Sequence, residues 1–273
     1  MKIKIGADPE FFLMKNNEIV PAVGLVPGTK EEPHRLNKGA VQLDGTAVEF
    51  NIDPASTSAE FTDNILTVLT QIREMVPKEY SFVFRPSVFY SPAIWNSMPD
   101  SAKELGCNPD YSAYDGKAKI PPSLPKELQT MRTGAGHIHI GFTDVKDPMD
   151  ASHLWDCAVV TRTMDKMFKK YTKFFDNDVQ RQKLYGQPGS FRPKTYGVEY
   201  RVFSNAWLNY PDMWPWLFSN IQQIMNNLEK GYEPVSYSFE QVSTLTDTNY
   251  WSRSSFDGWN DLSPKQLNRK LVV

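Results

Sequence analysis

Cysteine and histidine are the scarce residues of this 273-residue chain, which has two of the first and four of the second. Cys107 and Cys157 lie far apart with no Cys-x-x-Cys spacing, which excludes a disulfide framework and a cysteine-built zinc site. An excess of one charge sign is also missing. Thirty Lys and Arg against 32 Asp and Glu leave a net charge of −2, without the basic stripe that nucleic-acid wrapping requires. No run approaches the roughly 18 apolar residues of a membrane span. The start, MKIKIGADPEFFL, lacks the apolar stretch of a signal peptide. These absences predict a soluble protein of a reducing compartment, with neither a membrane nor a nucleic acid as partner. What is present is apolar mass: 40% hydrophobic and 13% aromatic residues supply a real core and exclude disorder.

The pattern along the chain predicts strands first. Residues Lys2 to Leu13 alternate as a strand, and Pro9 is expected to put its second half at an edge or bulge. Residues 14 to 40 read as a hairpin tip and loop, followed by two short β pieces around Asp44-Gly45. Thr57-Ser58-Ala59-Glu60 has the form of a capping box, and Phe61, Ile65, Val68, Leu69 and Ile72 recur behind it at helical spacing. One strand is expected over Ser81 to Tyr90, a long irregular stretch over residues 91 to 132, and a strand over Gly136 to Phe142. A second helix spans Asp147 to Tyr171 and a third Pro211 to Lys230. Between them, residues 173 to 196 read as an exposed mobile loop and Val198 to Phe203 as a strand. The sum is α+β: a largely antiparallel sheet with helices on one face and a polar working face on the other. A single domain over residues 1–273 is expected, with its core at about 3–235 and a tail from 238 to 273 that has no assignment.

Side chains two apart on a strand share a face, roughly 6.5 to 7 Å apart. Asp8 with Glu10, His137 with His139, and Glu199 with Arg201 are such pairs, and Glu49 faces away from Val48 and Phe50. Each pair alone also fits a plainer account: edge-strand charges for the first, water-facing imidazoles for the second, a surface ion pair for the third. His34 and His153 read as solvated or capping residues, and Cys107 as structural. Together the pairs point to divalent metal. Carboxylates suit Mg²⁺ or Mn²⁺, imidazole adds Mn²⁺ or Zn²⁺, and an arginine beside the last carboxylate suits a phosphoryl group in transfer. The ligands alone do not choose between phosphate chemistry and metal-dependent hydrolysis.

The strands Gly6-Ala7-Asp8-Pro9-Glu10, Gly134-Ala135-Gly136-His137-Ile138-His139-Ile140-Gly141 and Gly197-Val198-Glu199-Tyr200-Arg201-Val202 resemble the three signature strands of glutamate-cysteine ligase-like enzymes in the glutamine synthetase superfamily. QLDGTAVEFN, GCNPDYSAYDG and RQKLYGQPGSFRPKTYGVEYR are similar to a phage-borne branch, the type 2 carboxylate-amine ligases. The resemblance covers about residues 3 to 207, and departs at Asp8, where the wider family has Glu. It implies ATP-dependent amide formation through an acyl phosphate, with Mg²⁺ (or Mn²⁺) at the site, in the cytoplasm, which is the host cytosol if a phage encodes the chain. It also implies small-molecule or peptide carboxylate and amine substrates.

Carried over by position, Asp8, Glu10, Glu49, His137, His139 and Glu199 match metal ligands, and Arg201 matches the arginine facing the phosphates. The loop with Tyr185, Arg192 and Lys194 would cover the acyl phosphate against water; there Arg192 would clamp transferred phosphate and Arg181 would meet ATP. An ordinary surface loop with solvated cations is an equal alternative. Arg132 and the Asp110-to-Asp115 segment are candidates for substrate contact. The rivals are a phosphotransferase on the same fold and a non-catalytic ATP- or metal-binding protein. No oligomer is fixed by the sequence.

Overall fold

The computed structural model describes residues 3–104, 110–119 and 124–231. In chain order the strands are β1 (Lys4–Lys15), β2 (Glu18–Val20), β3 (His34–Leu36), β4 (Gly39–Asp44), β5 (Ala47–Ile52), β6 (Ser81–Val83), β7 (Ser87–Phe89), β8 (Asp110–Ser112), β9 (Ala118–Lys119), β10 (Met131–Thr133), β11 (Gly136–Gly141), β12 (Ser190–Lys194) and β13 (Gly197–Tyr200). The α-helices are α1 (Ser58–Met75), α2 (Pro92–Ser97), α3 (Asp100–Lys103), α4 (Ala151–Phe175), α5 (Val179–Leu184) and α6 (Met213–Glu229). Cys107 and the tail from 238 lie outside the described residues.

The main sheet runs β3-β4-β5-β1-β11-β13-β12-β8-β9, with β2 and β6 on the far half of β1, and its pairings are antiparallel. The class is α+β, as the alternation predicts. One face is apolar: Ile5, Phe11, Val48, Phe50, Ile138, Ile140, Val198 and Tyr200 are buried in a core shared with α1, α4 and α6. Each such side chain, fully buried, contributes roughly 1.5–3 kcal/mol before ordering costs. Helix α1 buries Phe61, Ile65, Val68, Leu69 and Ile72, as its spacing predicts. Its cap is a variant of the expected box: Thr57 Oγ1 accepts from the Glu60 amide, but the Glu60 carboxylate accepts from Ser56 instead of Thr57. No helix among the described residues is long and apolar enough to cross a membrane.

Several expectations are corrected. Pro9 is not on an edge strand of the sheet, since β1 sits between β5 and β11, but it falls on a locally unpaired side of β1. The Glu10 amide donates to Ala135 on the β11 side, so the Pro9 nitrogen points toward β5, where the pairing is open between the Ile5–Ala55 bridge and Glu10–Glu49. A residue without an N–H is tolerated there because no ladder bond is lost. The strand expected over Ser81 to Tyr90 is two: β6 pairs with β1 and β7 with β10, the break falling at Phe84-Arg85-Pro86. The stretch from 91 to 132 is not irregular, for it contains α2, α3, β8, β9 and β10. Helix α4 runs Ala151–Phe175 and turns Cys157, Val160, Met164 and Phe168 inward, leaving Trp155 exposed. His153 is not solvated: it is fully buried, and its Nε2 is 2.8 Å from the Lys194 carbonyl, to which it donates. Residues 173 to 196 are not a free loop either. They form α5 and then β12, whose neighbours in the sheet are β13 and β8.

Gly136 opens the histidine strand for a packing reason. A Cβ there would meet the Ser204 carbonyl oxygen and the Trp207 indole nitrogen, each at 2.4 Å. That indole donates to the Gly136 carbonyl itself. Gly136→Ala is therefore expected to cost about 1–3 kcal/mol through overpacking, and urea unfolding that places the variant within 0.5 kcal/mol of wild type (roughly the scatter of neutral surface changes) would contradict this.

Candidate active site

Register, more than sequence spacing, assembles the polar face. Antiparallel pairing sets Asp8 opposite His137, His139 opposite Glu199, Glu10 opposite Glu49, and Glu199 opposite Arg192. Directly opposed residues put their side chains on one face within contact range. Six neighbouring strands, β4 to β12 in sheet order, thus carry an unbroken band of polar and ionisable groups, acidic toward β4 and β5 and basic toward β12.

Two sets of three metal-ligating residues lie on this band. Asp8, His139 and Glu199 form the first and Glu10, Asp44 and Glu49 the second; within each, the ligand atoms are within 4.8 Å of one another. His139 Nε2 is 3.0 Å from Asp8 Oδ1, and His137 Nδ1 is 3.4 Å from both Asp8 and Glu199. Burial pushes the Asp8 carboxyl up, but His139 and His137 outweigh it and hold the group well below the usual range. Burial also lowers His137, reinforced by Arg201, whereas Asp8 overcomes burial at His139 and raises it.

The second set behaves differently. Burial and the Asp44 charge push the Glu10 carboxyl up to about 7, against the Ala135 amide and Arg201. Glu49 is raised well above its ordinary value by burial and then by Asp8, Glu10 and Asp44. Gln42 Nε2 donates to Glu49 at 2.8 Å. Crowded carboxylates that repel one another's ionisation are the donor set of an oxygen-preferring divalent cation. Asp44 was missed in the sequence, where Asp44-Gly45 reads as a turn; the signal was Gln42-x-Asp44, whose two side chains share a face with Gln42 opposite Glu49.

On the basic side, the buried Arg201 binds Glu199, the Tyr185 hydroxyl and, at 2.7 Å, Asp110. Arg192 reaches Asp110 at 3.1 Å and Glu199 at 3.8 Å, while Lys194 Nζ lies 2.6 Å from Glu199 Oε2. Burial and Asp8 raise the Glu199 carboxyl, but Arg201 and the two imidazoles hold it down at about 2. Tyr185 Oη also sits 3.0 Å from His137 Nε2.

Four expected contacts change role. Arg181 does not face a nucleotide: it is fully buried, donating to Asp176 and to the Val202 and Phe203 carbonyls just beyond Arg201. Its place is behind the site. Arg132 lines the site's cleft, yet its guanidinium donates to the carbonyls of Gln129, Met131 and Lys103 and lies over Trp95, so it serves as wall. Asp110 is engaged by two arginines and is not open to a substrate amine, while Asp115 is exposed beyond the turn. The covering role expected of Arg192 and Lys194 is gone as well, because both belong to β12 in the sheet itself. Cys157 supplies no nucleophile, its thiol being buried and pushed up to about 12.

Two cavities flank the band. The smaller, about 270 Å³, holds Glu10, Asp44, Arg192, Lys194, Tyr185 and Arg132. The larger, about 890 Å³, is bounded by Gly6, Pro54, Gly141, Phe142 and Tyr196 around the open stretch of β1. Asp8 and Glu49 line both. The chain matches no family model, and no curated protein matches it.

Proposed function

We propose that the chain is an ATP-dependent carboxylate-amine ligase of the glutamate-cysteine ligase-like type, working in the cytosol through an acyl phosphate. The observation that carries the reading is the shared wall. Asp8 and Glu49 separate a large, partly apolar cavity suited to a nucleoside from a small polar one suited to a carboxylate and an amine. A reaction between two such substrates would occur across those carboxylates.

The residues fit divalent metal on their own chemistry. Glu10, Asp44 and Glu49 supply oxygen donors of mutually unfavourable charge, and Asp8, His139 and Glu199 supply a mixed set. Bound Mg²⁺ or Mn²⁺ would neutralise phosphate oxygens as the γ-phosphoryl group transfers. The chain's own groups do the rest. Arg192 and Lys194, on the cleft side of β12, meet the transferred phosphate; Arg201, fixed by Asp110 and Tyr185, sets the position of Glu199. In the reaction a substrate carboxylate oxygen bonds to the γ-phosphorus as the bond to ADP breaks. The amine nitrogen then bonds to the carbonyl carbon and phosphate leaves with the acyl oxygen. The narrow cleft walled by Tyr185 and Arg132 limits water at that carbonyl.

The test incubates the protein with ATP, Mg²⁺ and pooled carboxylates and amines. ADP and phosphate are expected only when both substrate classes are present, with a product lighter than their sum by one water. A stable phosphorylated acceptor without condensation would make the protein a phosphotransferase, and cleavage of a substrate with uptake of water in the absence of nucleotide would make it a metal-dependent hydrolase.

A further inference from the structure

The two metal-ligating sets differ in their internal cations. Among the described residues no ion pair involves Glu10, Asp44 or Glu49, whereas Glu199 carries a cation on each oxygen: Arg201 on Oε1 and Lys194 on Oε2, the latter at 2.6 Å. Around the first set, the carboxylates of Glu199 and Asp110 are matched by Arg192, Lys194 and Arg201, and Asp8 lies against the imidazoles of His137 and His139. A dication entering there adds charge to a balanced cluster. At the second set it relieves a surplus of negative charge.

One of the cations at Glu199 is built to leave. Arg201 is buried and tied to Asp110 and Tyr185, but the Lys194 side chain is 31% exposed and ends in an ammonium on a flexible stem. Its root is fixed. The Lys194 carbonyl accepts from the buried His153, and the residue opposite it in β13 is Gly197, which sets no side chain against the stem. A Cβ at Gly197 would meet the Ile140 carbonyl oxygen at 2.1 Å, so that position stays without a side chain. Lys194 can therefore swing from Glu199 toward the small cleft that it lines without disturbing β12.

We propose that the Lys194 ammonium is an internal counter-ion that keeps the Asp8–His139–Glu199 set closed to a divalent cation until a nucleotide phosphate draws it away, so that the two sets fill in order. Glu10–Asp44–Glu49 fills in the free protein, and the second ion enters only with nucleotide. The inference rests on the metal-site reading proposed above, and its consequence is that metal alone does not assemble the site.

Mn²⁺ titration of the full chain, followed by electron paramagnetic resonance of the free ion, tests this with no need for turnover. Wild type is expected to bind one ion per chain, and a second once a non-hydrolysable ATP analogue is added. Lys194→Met should bind the second ion without the analogue at least tenfold more tightly than wild type, Lys194→Gln should do the same, and Lys194→Arg should keep the nucleotide requirement. Glu10→Gln should remove the first ion. Circular dichroism confirms that each variant is folded. Two ions bound by wild type without nucleotide, or a folded Lys194→Met and Lys194→Gln that still require it, would overturn the counter-ion role while leaving the metal sites in place. No Mn²⁺ bound under any condition would overturn the metal reading and this proposal with it.

Discussion

Arg201→Met is expected to destabilise the protein by about 3–5 kcal/mol, the cost of leaving a buried charge without its partner. Arg201 is 4% exposed, and its guanidinium is shared among Glu199, Asp110 and the Tyr185 hydroxyl. Removing it takes a shared cation from two carboxylates, of which Glu199 is 1% exposed. Lys194 and Arg192 remain near Glu199, but among the described residues Asp110 keeps only Arg192 as an ion-pair partner. Arg201→Lys should recover part of the loss, because an ammonium lacks the planar fork that reaches three acceptors at once. The sign of the pH dependence follows from Glu199, whose folded carboxyl is held down at about 2 against an ordinary value of 4.5. Its contribution is present above the ordinary value and is lost as pH falls toward the folded one; in Arg201→Met that acid-side loss should shrink. Urea unfolding at pH 7.5 measures the first effect. A Met variant within 1 kcal/mol of wild type (below the roughly 3 kcal/mol floor for breaking a buried pair) would mean that the cluster is solvated enough not to need Arg201.

That cluster was half legible in the sequence, and the divide has a physical cause. Two-residue alternation places Asp8 with Glu10, His137 with His139 and Glu199 with Arg201, because the side-chain period of a strand is local. Which strand lies beside which is set by register between distant segments. The Glu199 pairing with both His139 and Arg192 carries no local signal. Asp44 was lost to the turn that follows it. Arg192 and Lys194 read as loop cations in the sequence because Gly186, Gly189 and Pro193 punctuate their segment, although Phe191 and Pro193 are buried in alternation with them. Pro193 is tolerated because it lies beyond the last β8 partner of the strand, the Phe191–Tyr111 pair. His153 shows the opposite failure. A polar side chain on a helix looked solvent-facing, yet it ties the α4 face to the Lys194 carbonyl.

Glu10→Gln should stabilise the metal-free protein above neutral pH while removing its affinity for a divalent cation, so stability and site move in opposite directions. Burial and the Asp44 charge hold the Glu10 carboxyl at about 7 against an ordinary value of 4.5. The folded state therefore keeps a proton that the unfolded chain has released. A group raised in this way contributes fully below its unfolded value, and that contribution is lost as pH rises from about 4.5 through 7. The difference is worth on the order of 3–4 kcal/mol, and Glu49, raised in the same cluster, steepens it. Glutamine has no proton to lose, and its amide oxygen can still accept from the Ala135 amide as Glu10 Oε2 does at 3.1 Å. In EDTA, wild type should lose stability from pH 5 to pH 8 (a window bracketing roughly those two values), while Glu10→Gln keeps only the shallower slope that the buried Glu49 contributes. Millimolar Mg²⁺ should flatten the wild-type profile and leave the variant unchanged, since a ligand stabilises only the state that binds it. A level wild-type profile in EDTA, or a variant less stable than wild type at pH 8, would show that the three carboxylates do not crowd one another. The acidic set would then have no electrostatic reason to take up a cation.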